Sequence, residues 1–421
     1  MDYDFIIVGA GIAGLYSALK ITTAFPKARV ALMEMYDSLG GRIQTYHKGT
    51  VQFEKGAGRI HSSHTLVNSL VAHYGLTKIK IPSEETAKWH PRHPRHPMKA
   101  QVTKNMWASL ATYIISILHK LEKSILQTHT LEEILYSTME GHHVKAMLNR
   151  FAYTSELITL RADIALDSLR HELGEGGGYF YVLKEGLASI VDHMAQDLKG
   201  KVEIFTKHRL VSLTTKDKVI LNFTQGKNKV QKTFKATKAI LAIHSDALKG
   251  IALFKNLPIL KHLSMTPLLR IYGVFPKPAW FADIPRTITD SPLRNVIPIS
   301  AASGTIMTSY TDNSDTKFWI DILKKEGEKG VSDRIITESE KLFNRSIPKP
   351  TFFKMCHWKH GCSYWLPGLY DVREESRRIM QPIPLAHPNI FVCGESYAIN
   401  QAWVESALSH ADDMLQRFIL V

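Results

Sequence analysis

Cysteine is scarce in this chain, with only Cys356, Cys362 and Cys393 among 421 residues. An odd and small number gives no disulfide framework and no paired metal-ligand spacing, so no metal site is expected and a reducing compartment fits. Long apolar runs are missing too. No stretch reaches the roughly 18 apolar residues of a transmembrane helix. The most apolar helical piece, SLATYIISIL at 109–118, is too short to cross a bilayer. No repeat of solenoid length is present. The first strand-like run begins at Tyr3, leaving no room for a signal or transit peptide, so a cytoplasmic location is the expectation. An apolar content of 44% with 22% charged residues excludes disorder. The length exceeds what one hydrophobic core fills and suits two domains.

Positive charge is what the chain has in excess: the net charge is +14 and the pI about 9.4. The basic residues are spread over most of the sequence and no recognised binding module accompanies them. A solvated basic surface that favours anionic substrates and cofactors is therefore the reading, not nucleic-acid binding.

The opening segment YDFIIVGAGIAGLYSALKITTAFPKARVALMEMYDSLGGR carries the clearest motif. An apolar strand, Phe5 to Val8, runs into Gly9, Gly11 and Gly14 in G-x-G-x-x-G spacing. Ala13, Leu15, Ala18 and Leu19 continue at helical spacing, and Val30 to Met33 read as a second strand ending in Glu34. Gly9 makes the tight turn, Gly11 admits a pyrophosphate against the backbone, and Gly14 lets helix and strand pack closely. The helix N-terminus then offers unpaired N–H groups to the diphosphate. Glu34 follows the last glycine by twenty residues, where a carboxylate accepts hydrogen bonds from ribose hydroxyls. Strand, helix, second strand and acid in register predict dinucleotide binding.

Next comes LGGRIQT at 39–45, in which Gly40 and Gly41 let the chain pass tight against a nucleotide and Arg42 supplies a cation for its phosphate. At the far end, NIFVCGESYAINQAWVESALSHADDML (389–415) reads as a strand, a Gly394-Glu395 turn and a helix starting near Ala402. In these two pieces the chain resembles the flavin-containing amine oxidase superfamily, of monoamine oxidase and L-amino acid oxidase type. The resemblance implies FAD, with Glu395 bonded to the ribityl chain and Trp403 beside the isoalloxazine ring. It also implies cofactor contacts at Ala13, Gly58, Arg59, Val211, Cys362 and Val404. The stretches 176–198 and 201–213 resemble the middle FAD segment, a glycine turn, a helix and then strands, and 238–248 resembles the strand returning from it.

The expected fold class is α/β, a discontinuous Rossmann-like FAD-binding domain (1–61, 176–249 and 369–421) with a mixed α+β substrate domain (62–175 and 250–368). The first insertion reads as helical, and the second alternates strands with helices near 315–325 and 329–344. WHPRHPRHP at 89–97 would align His90, His93 and His96 on one edge of a polyproline II helix, most simply as an exposed loop.

The resemblance implies hydride transfer from an amine-bearing carbon to flavin N5. An imine and then an aldehyde or keto acid would follow, with electrons passing to dioxygen to give hydrogen peroxide. A small-molecule amine and dioxygen are the implied partners, and a homodimer is left open. Trp403, Trp365 and Tyr364 are the aromatic walls expected along the amine path. Within HWKHGCSYWLPG (357–368), Cys362 falls where monoamine oxidases carry a cysteine bonded to the flavin. Arg59, in QFEKGAGRIHS (52–62), falls where L-amino acid oxidases fork an arginine onto the substrate carboxylate, although pairing with an internal acid or with the FAD phosphates stays open. His61 and His64 read as packing groups. One departure stands out: counting back from FPKPAW (275–280) puts Arg270 where the superfamily carries a lysine assisting the reaction with oxygen. Arginine does not release its proton, which puts oxygen reactivity in doubt. A non-catalytic FAD-binding module and a desaturase or porphyrinogen-type oxidoreductase are the alternatives.

Overall fold

The structure is a computed structural model that describes residues 2–82, 88–90, 106–173, 177–381 and 387–420. Its first sheet grows outward from Asp2–Val8. This strand pairs in parallel with Val30–Met33 on one side (Phe5 opposite Val30, Val8 opposite Met33) and with Val230–Leu241 on the other (Ile7 opposite Ile240). Strands paired on both edges and covered on both faces need apolar side chains throughout, which the run FIIV supplies. Ile6 and Val8 belong to one core with Ala31, Met33, Leu213 and Phe223. Phe5 and Ile7 belong to the other with Leu15, Ala18, Leu32 and Leu408.

Seven strands make up this sheet. In order they are His208–Thr215, Val219–Gln225, Val230–Leu241, Asp2–Val8, Val30–Met33 and Val202–Phe205, with Ile390–Val392 added beside Val230–Leu241. Its members thus come from the start, middle and end of the chain. A second, six-stranded sheet runs Phe352–Trp365, Leu263–Val274, Thr305–Asp312, Asn295–Ser300, Thr287–Ile288 and Lys88–Trp89. It packs Leu269 and Ile271, with Phe281 of the following turn, in one core with Trp319, Val331 and Ile335 of the helical stretch Thr316–Phe343. That stretch breaks at Gly327 (φ +71°, ψ −173°), giving the two helices expected from the spacing.

The first insertion is helical, as expected, from Met106–Leu118 through Ala162–Glu172. One helix, Leu131–Thr138, opens on a reciprocal cap in which Thr130 and Glu133 satisfy each other's amides. The stretch 176–198 departs from the expected turn and helix. Phe180–Leu183 is first a strand, pairing with Ile60–His61 and Lys78–Lys80 in a small sheet of its own, and only then does the helix Ala188–Asp197 begin. Of the histidine-proline run, Trp89 ends a strand and His90 donates its amide to Ile288 O; His93 and His96 lie outside the described residues. Among the described residues no helix is long and apolar enough to cross a membrane, and the three cysteines are free thiols.

Candidate cofactor and substrate site

Three glycines fold the first turn onto itself. Gly9 sits at φ +100°, and a Cβ there would lie 2.4 Å from Ala242 O; a Cβ on Gly14 would lie 1.9 Å from Gly9 O. The glycine pair closes from above: Gly40 (φ +94°) donates its amide to Ala10 O at 2.8 Å, and the Cβ direction of Gly41 comes within 3.5 Å of Gly11 Cα. Nothing lies within 4 Å of the Cβ direction of Gly11 itself. The helix Ile12–Ala24 starts there without a side-chain cap, so its first amides face outward, with Ala13 buried in its first turn. Glu34 completes the group. Its carboxylate accepts the amides of Ala10 and Tyr36, both at 2.9 Å, while burial raises its pKa against those bonds. Each oxygen keeps a lone pair for a hydroxyl. An open trough edged by glycine, an uncapped helix start and a carboxylate at the second strand's end together fit a dinucleotide.

Val211 does not join this group. It sits 47% exposed at an irregularity of the outermost strand, between Leu210 and Ser212. The residue that reaches the end of the second strand is His208, whose amide meets Glu34 O at 2.8 Å.

The two ends of the chain meet at Arg42. Its Nη1 contacts Glu395 Oε2 at 2.8 Å and donates to Gly361 O at 2.9 Å. Arg42 was expected on a phosphate and Glu395 on the ribityl chain; the structure joins them to each other. Glu395 also accepts the amides of Ser363 (3.1 Å) and Ala402 (2.8 Å), and Gly394 before it adopts φ +130°. Trp403 then caps the final helix, Val404–Phe418, whose first residue Val404 is buried. A contact invisible in the sequence holds this helix start: Glu405 accepts Thr65 Oγ1 and the amides of Leu66 and Val67, capping the helix Thr65–His73.

Around Trp403 the walls are aromatic. Phe180 stacks on it with ring centres 5.8 Å apart, and His64 meets it edge-on at 5.2 Å. The Arg59 guanidinium lies 4.2 Å over Phe180 and 5.5 Å from Trp403. Burial pushes His64 down to about 4, helped by the nearby His61, His171 and Arg59, so it is neutral at neutral pH.

The strand Phe352–Trp365 runs antiparallel to Leu263–Val274 and divides its side chains between two faces. Ser363 bonds Ser396 Oγ at 2.8 Å, and Trp365 donates its indole N–H to Ala398 O at 2.9 Å. Trp365 has no exposed surface, so it is a core residue and not the substrate wall expected. Cys362 and Tyr364 take the other face, Cys362 half-buried opposite Thr266 and Tyr364 nearly buried. Burial pushes the Cys362 thiol up to about 12, with Glu395 raising it further and Arg42 opposing.

Arg270 lies in mid-strand, opposite Tyr310 on one side and Cys356 on the other. Its Nη1 donates to Glu54 O at 3.2 Å and its Nη2 points at Tyr310 Oη at 3.5 Å. A Cβ on Gly58 would stand 2.9 Å from Nη1. Tyr272 donates to the same Glu54 oxygen at 2.6 Å. The Glu54 carboxyl itself is pushed up to about 7 by burial, against the opposing bonds from Leu187 N and Thr45 Oγ1 and the charge of Arg270.

Comparison with known proteins decides the family. The profile described as flavin containing amine oxidoreductase matches residues 12–415. The chain belongs to that family. An uncharacterised protein of Acanthamoeba polyphaga mimivirus is 20% identical over 99% of this chain and 94% of its own length. The L-amino-acid oxidase of Mus musculus is 23% identical over 73% of this chain and 53% of its own, so the chain spans about half of that relative. Among solved structures, putrescine oxidase bound to putrescine superposes with a TM-score of 0.72 at 16% identity, over 99% of this chain and 100% of that one. A variant of the same oxidase, with alanine replaced by cysteine to redesign cofactor binding, gives 0.74 at 17% identity, over 99% of each chain. At such identities these structures show the fold alone. The fold is that of the flavin amine oxidases, with an FAD-binding domain; the cofactor is FAD, and the protein is a flavin-dependent oxidoreductase.

Proposed function

We propose that this flavoprotein oxidises a primary amine or an L-amino acid to an imine, which water converts to an aldehyde or keto acid and ammonia. Bound FAD supplies the hydride acceptor, and dioxygen takes the electron pair with two protons as hydrogen peroxide. The observation that carries this reading is the aromatic surround of Trp403, Phe180 and the neutral His64, with the Arg59 guanidinium laid over Phe180. An amine gives up hydride only when its nitrogen lone pair is available. A dry wall of rings favours the uncharged amine because burial disfavours ammonium.

The protein's own work is then placement. The open face of Gly11 and the uncapped helix start would hold the diphosphate, and Glu34 would take ribose hydroxyls. Glu395, fixed by Arg42 and two amides, would meet the ribityl chain, and Trp403 and Val404 would bring the last helix's amides to the ring. Residues 1–61, 176–249 and 369–421 form the cofactor part in this reading, and 62–175 and 250–368 the substrate part. Arg59 lines the approach beside Phe180 and Trp403.

Anaerobic mixing of the holoenzyme with a panel of amines and amino acids tests it: flavin absorbance should bleach with at least one, and peroxide should appear once oxygen is admitted. A flavin that no amine bleaches would remove the reading.

A further inference from the structure

Two helix starts meet beside the aromatic rings. Thr65–His73 begins after His64 and Val404–Phe418 after Trp403, and neither N-cap side chain accepts an amide of its own helix. A helix start ordinarily draws on its N-cap residue for an acceptor. His64 is committed elsewhere. Its Nδ1 faces the His61 amide at 3.3 Å, and its ring meets Trp403 edge-on at 5.2 Å. The acceptor comes from the other helix instead. Glu405 Oε1 takes Thr65 Oγ1 at 3.0 Å and the Leu66 amide at 2.9 Å, and its Oε2 takes the Val67 amide at 2.9 Å. Among the described residues no other hydrogen bond joins these two helices.

All three rings of the wall hang from this junction. His64 directly precedes Thr65, and Trp403 lies two residues before Glu405. Phe180 pairs with His61 in the small sheet, and its neighbour Tyr181 donates its hydroxyl to Asn68 Oδ1 at 2.8 Å, near the start of the same helix. Asn68 in turn donates to His61 O at 3.1 Å. A carboxylate serves three donors on its two oxygens, whereas a glutamine would turn an N–H2 donor toward the amide of Leu66 or of Val67.

We propose that Glu405 is the positioning residue of the substrate wall. By capping Thr65–His73 from the last helix it holds His64 and Phe180 against Trp403, and without that cap the rings part and water enters. Glu405 acts through those rings and takes no part in the chemistry. What the wall is for rests on the amine-oxidising reading; which residue keeps it closed goes beyond that reading.

Diethyl pyrocarbonate, which acylates accessible neutral imidazoles, tests this on the FAD-loaded protein at pH 7, with each histidine read by peptide mass mapping. In the parent, His64 (8% exposed) and His410 (4% exposed) should be protected, and the exposed His47 should react. Glu405→Gln should speed His64 modification roughly tenfold, the change that a loss of about 1.4 kcal/mol in local protection gives, and leave His47 and His410 as they were. Thr65→Val, which removes one of the three donors, should speed it less, and that variant decides alone if Glu405→Gln does not fold. With benzylamine or L-phenylalanine, whichever bleaches the parent flavin, KM should rise more than kcat falls in both variants. His64 protection unchanged in both variants, His64 and His410 exposed together, or a fall in kcat at constant KM would each overturn the proposal. The amine reading fails separately: a parent flavin that no amine bleaches removes that reading, while the His64 labelling still decides whether Glu405 holds the rings.

Discussion

Arg42 Nη1 and Glu395 Oε2 lie 2.8 Å apart and tie the Gly40–Gly41 turn to the segment that opens the last helix, two parts of the chain that the sequence separates almost completely. Glu395 is 5% exposed and accepts two amides at its other oxygen, so glutamine keeps an acceptor for those amides but turns an N–H2 donor toward Arg42 in place of its carboxylate partner. Glu395→Gln should destabilise the protein by about 3 kcal/mol, near the lower bound for breaking a buried pair because Arg42 is partly solvated. Retained FAD should fall with it. Pairing the change with Arg42→Met should cost less than the sum of the two, as expected for residues in contact. Denaturant midpoints and flavin retained on gel filtration read both effects, and an additive double variant would deny the coupling.

The stack of Phe180 on Trp403 positions the substrate wall, with Arg59 over the first ring. Trp403→Ala removes an aromatic pair worth about 1 kcal/mol beyond its buried area. It should raise KM for every amine more than it lowers kcat. Arg59→Ala should lower stability by about 1 kcal/mol through the lost cation–π contact with Phe180 and shift amines and amino acids alike. Selective loss of amino acids in that variant would place the carboxylate on Arg59.

Acid should destabilise the protein through its buried histidines. His410 donates from Nε2 to Ser376 O and receives the Gly394 amide at Nδ1, which requires the neutral ring. Burial pushes His410, His64 and His244 down to about 4. The unfolded chain therefore binds more protons between pH 6.5 and 4, and stability falls as pH drops through that window. Each histidine contributes a slope of about 1.4 kcal/mol per pH unit. Glu54 acts the other way: its carboxyl, raised to about 7, is protonated in the fold first and favours folding as pH falls from 7 to 4.5. His410→Gln should flatten the melting temperature against pH in the histidine window, and an unchanged profile would show the ring is not the titrating group.

The glycine turn, both flanking strands, Glu34 and the start of the last helix were legible because each rests on local spacing. The break at Gly327 was legible for the same reason. Phe180–Leu183 was not: a short apolar run after glycines suits strand or helix start equally, and its partners Ile60–His61 and Lys78–Lys80 are distant in sequence. Trp365 shows a second limit. Alternation along its strand says that it faces Ser363's way and Tyr364 the other, yet only the register with Leu263–Val274 says which way is the core. Glu54 was present in the stretch that drew attention to Arg59, but its bond to Leu187 carried no signal. The Arg42–Glu395 pair and the Glu405 cap are long-range contacts that no spacing announces.

Cys362 bears the last prediction. It is half-buried opposite Thr266 and close enough to Arg42 and Glu395 to feel both charges. A thioether from its sulfur to the flavin, which the resemblance implies for this position, would be a two-electron oxidation that removes one hydrogen from the thiol and one from a flavin carbon, with dioxygen as acceptor. Acid-precipitated protein should then keep its yellow colour in the pellet, while Cys362→Ala should bind FAD but release it to the supernatant. The thiolate is the reactive form, and a thiol raised to about 12 is almost wholly protonated at neutral pH. Attachment to the apoprotein should therefore speed up by up to about tenfold per pH unit between 7 and 9, following the thiolate fraction. Flavin released from the parent protein at every pH would show that Cys362 is only a packed thiol.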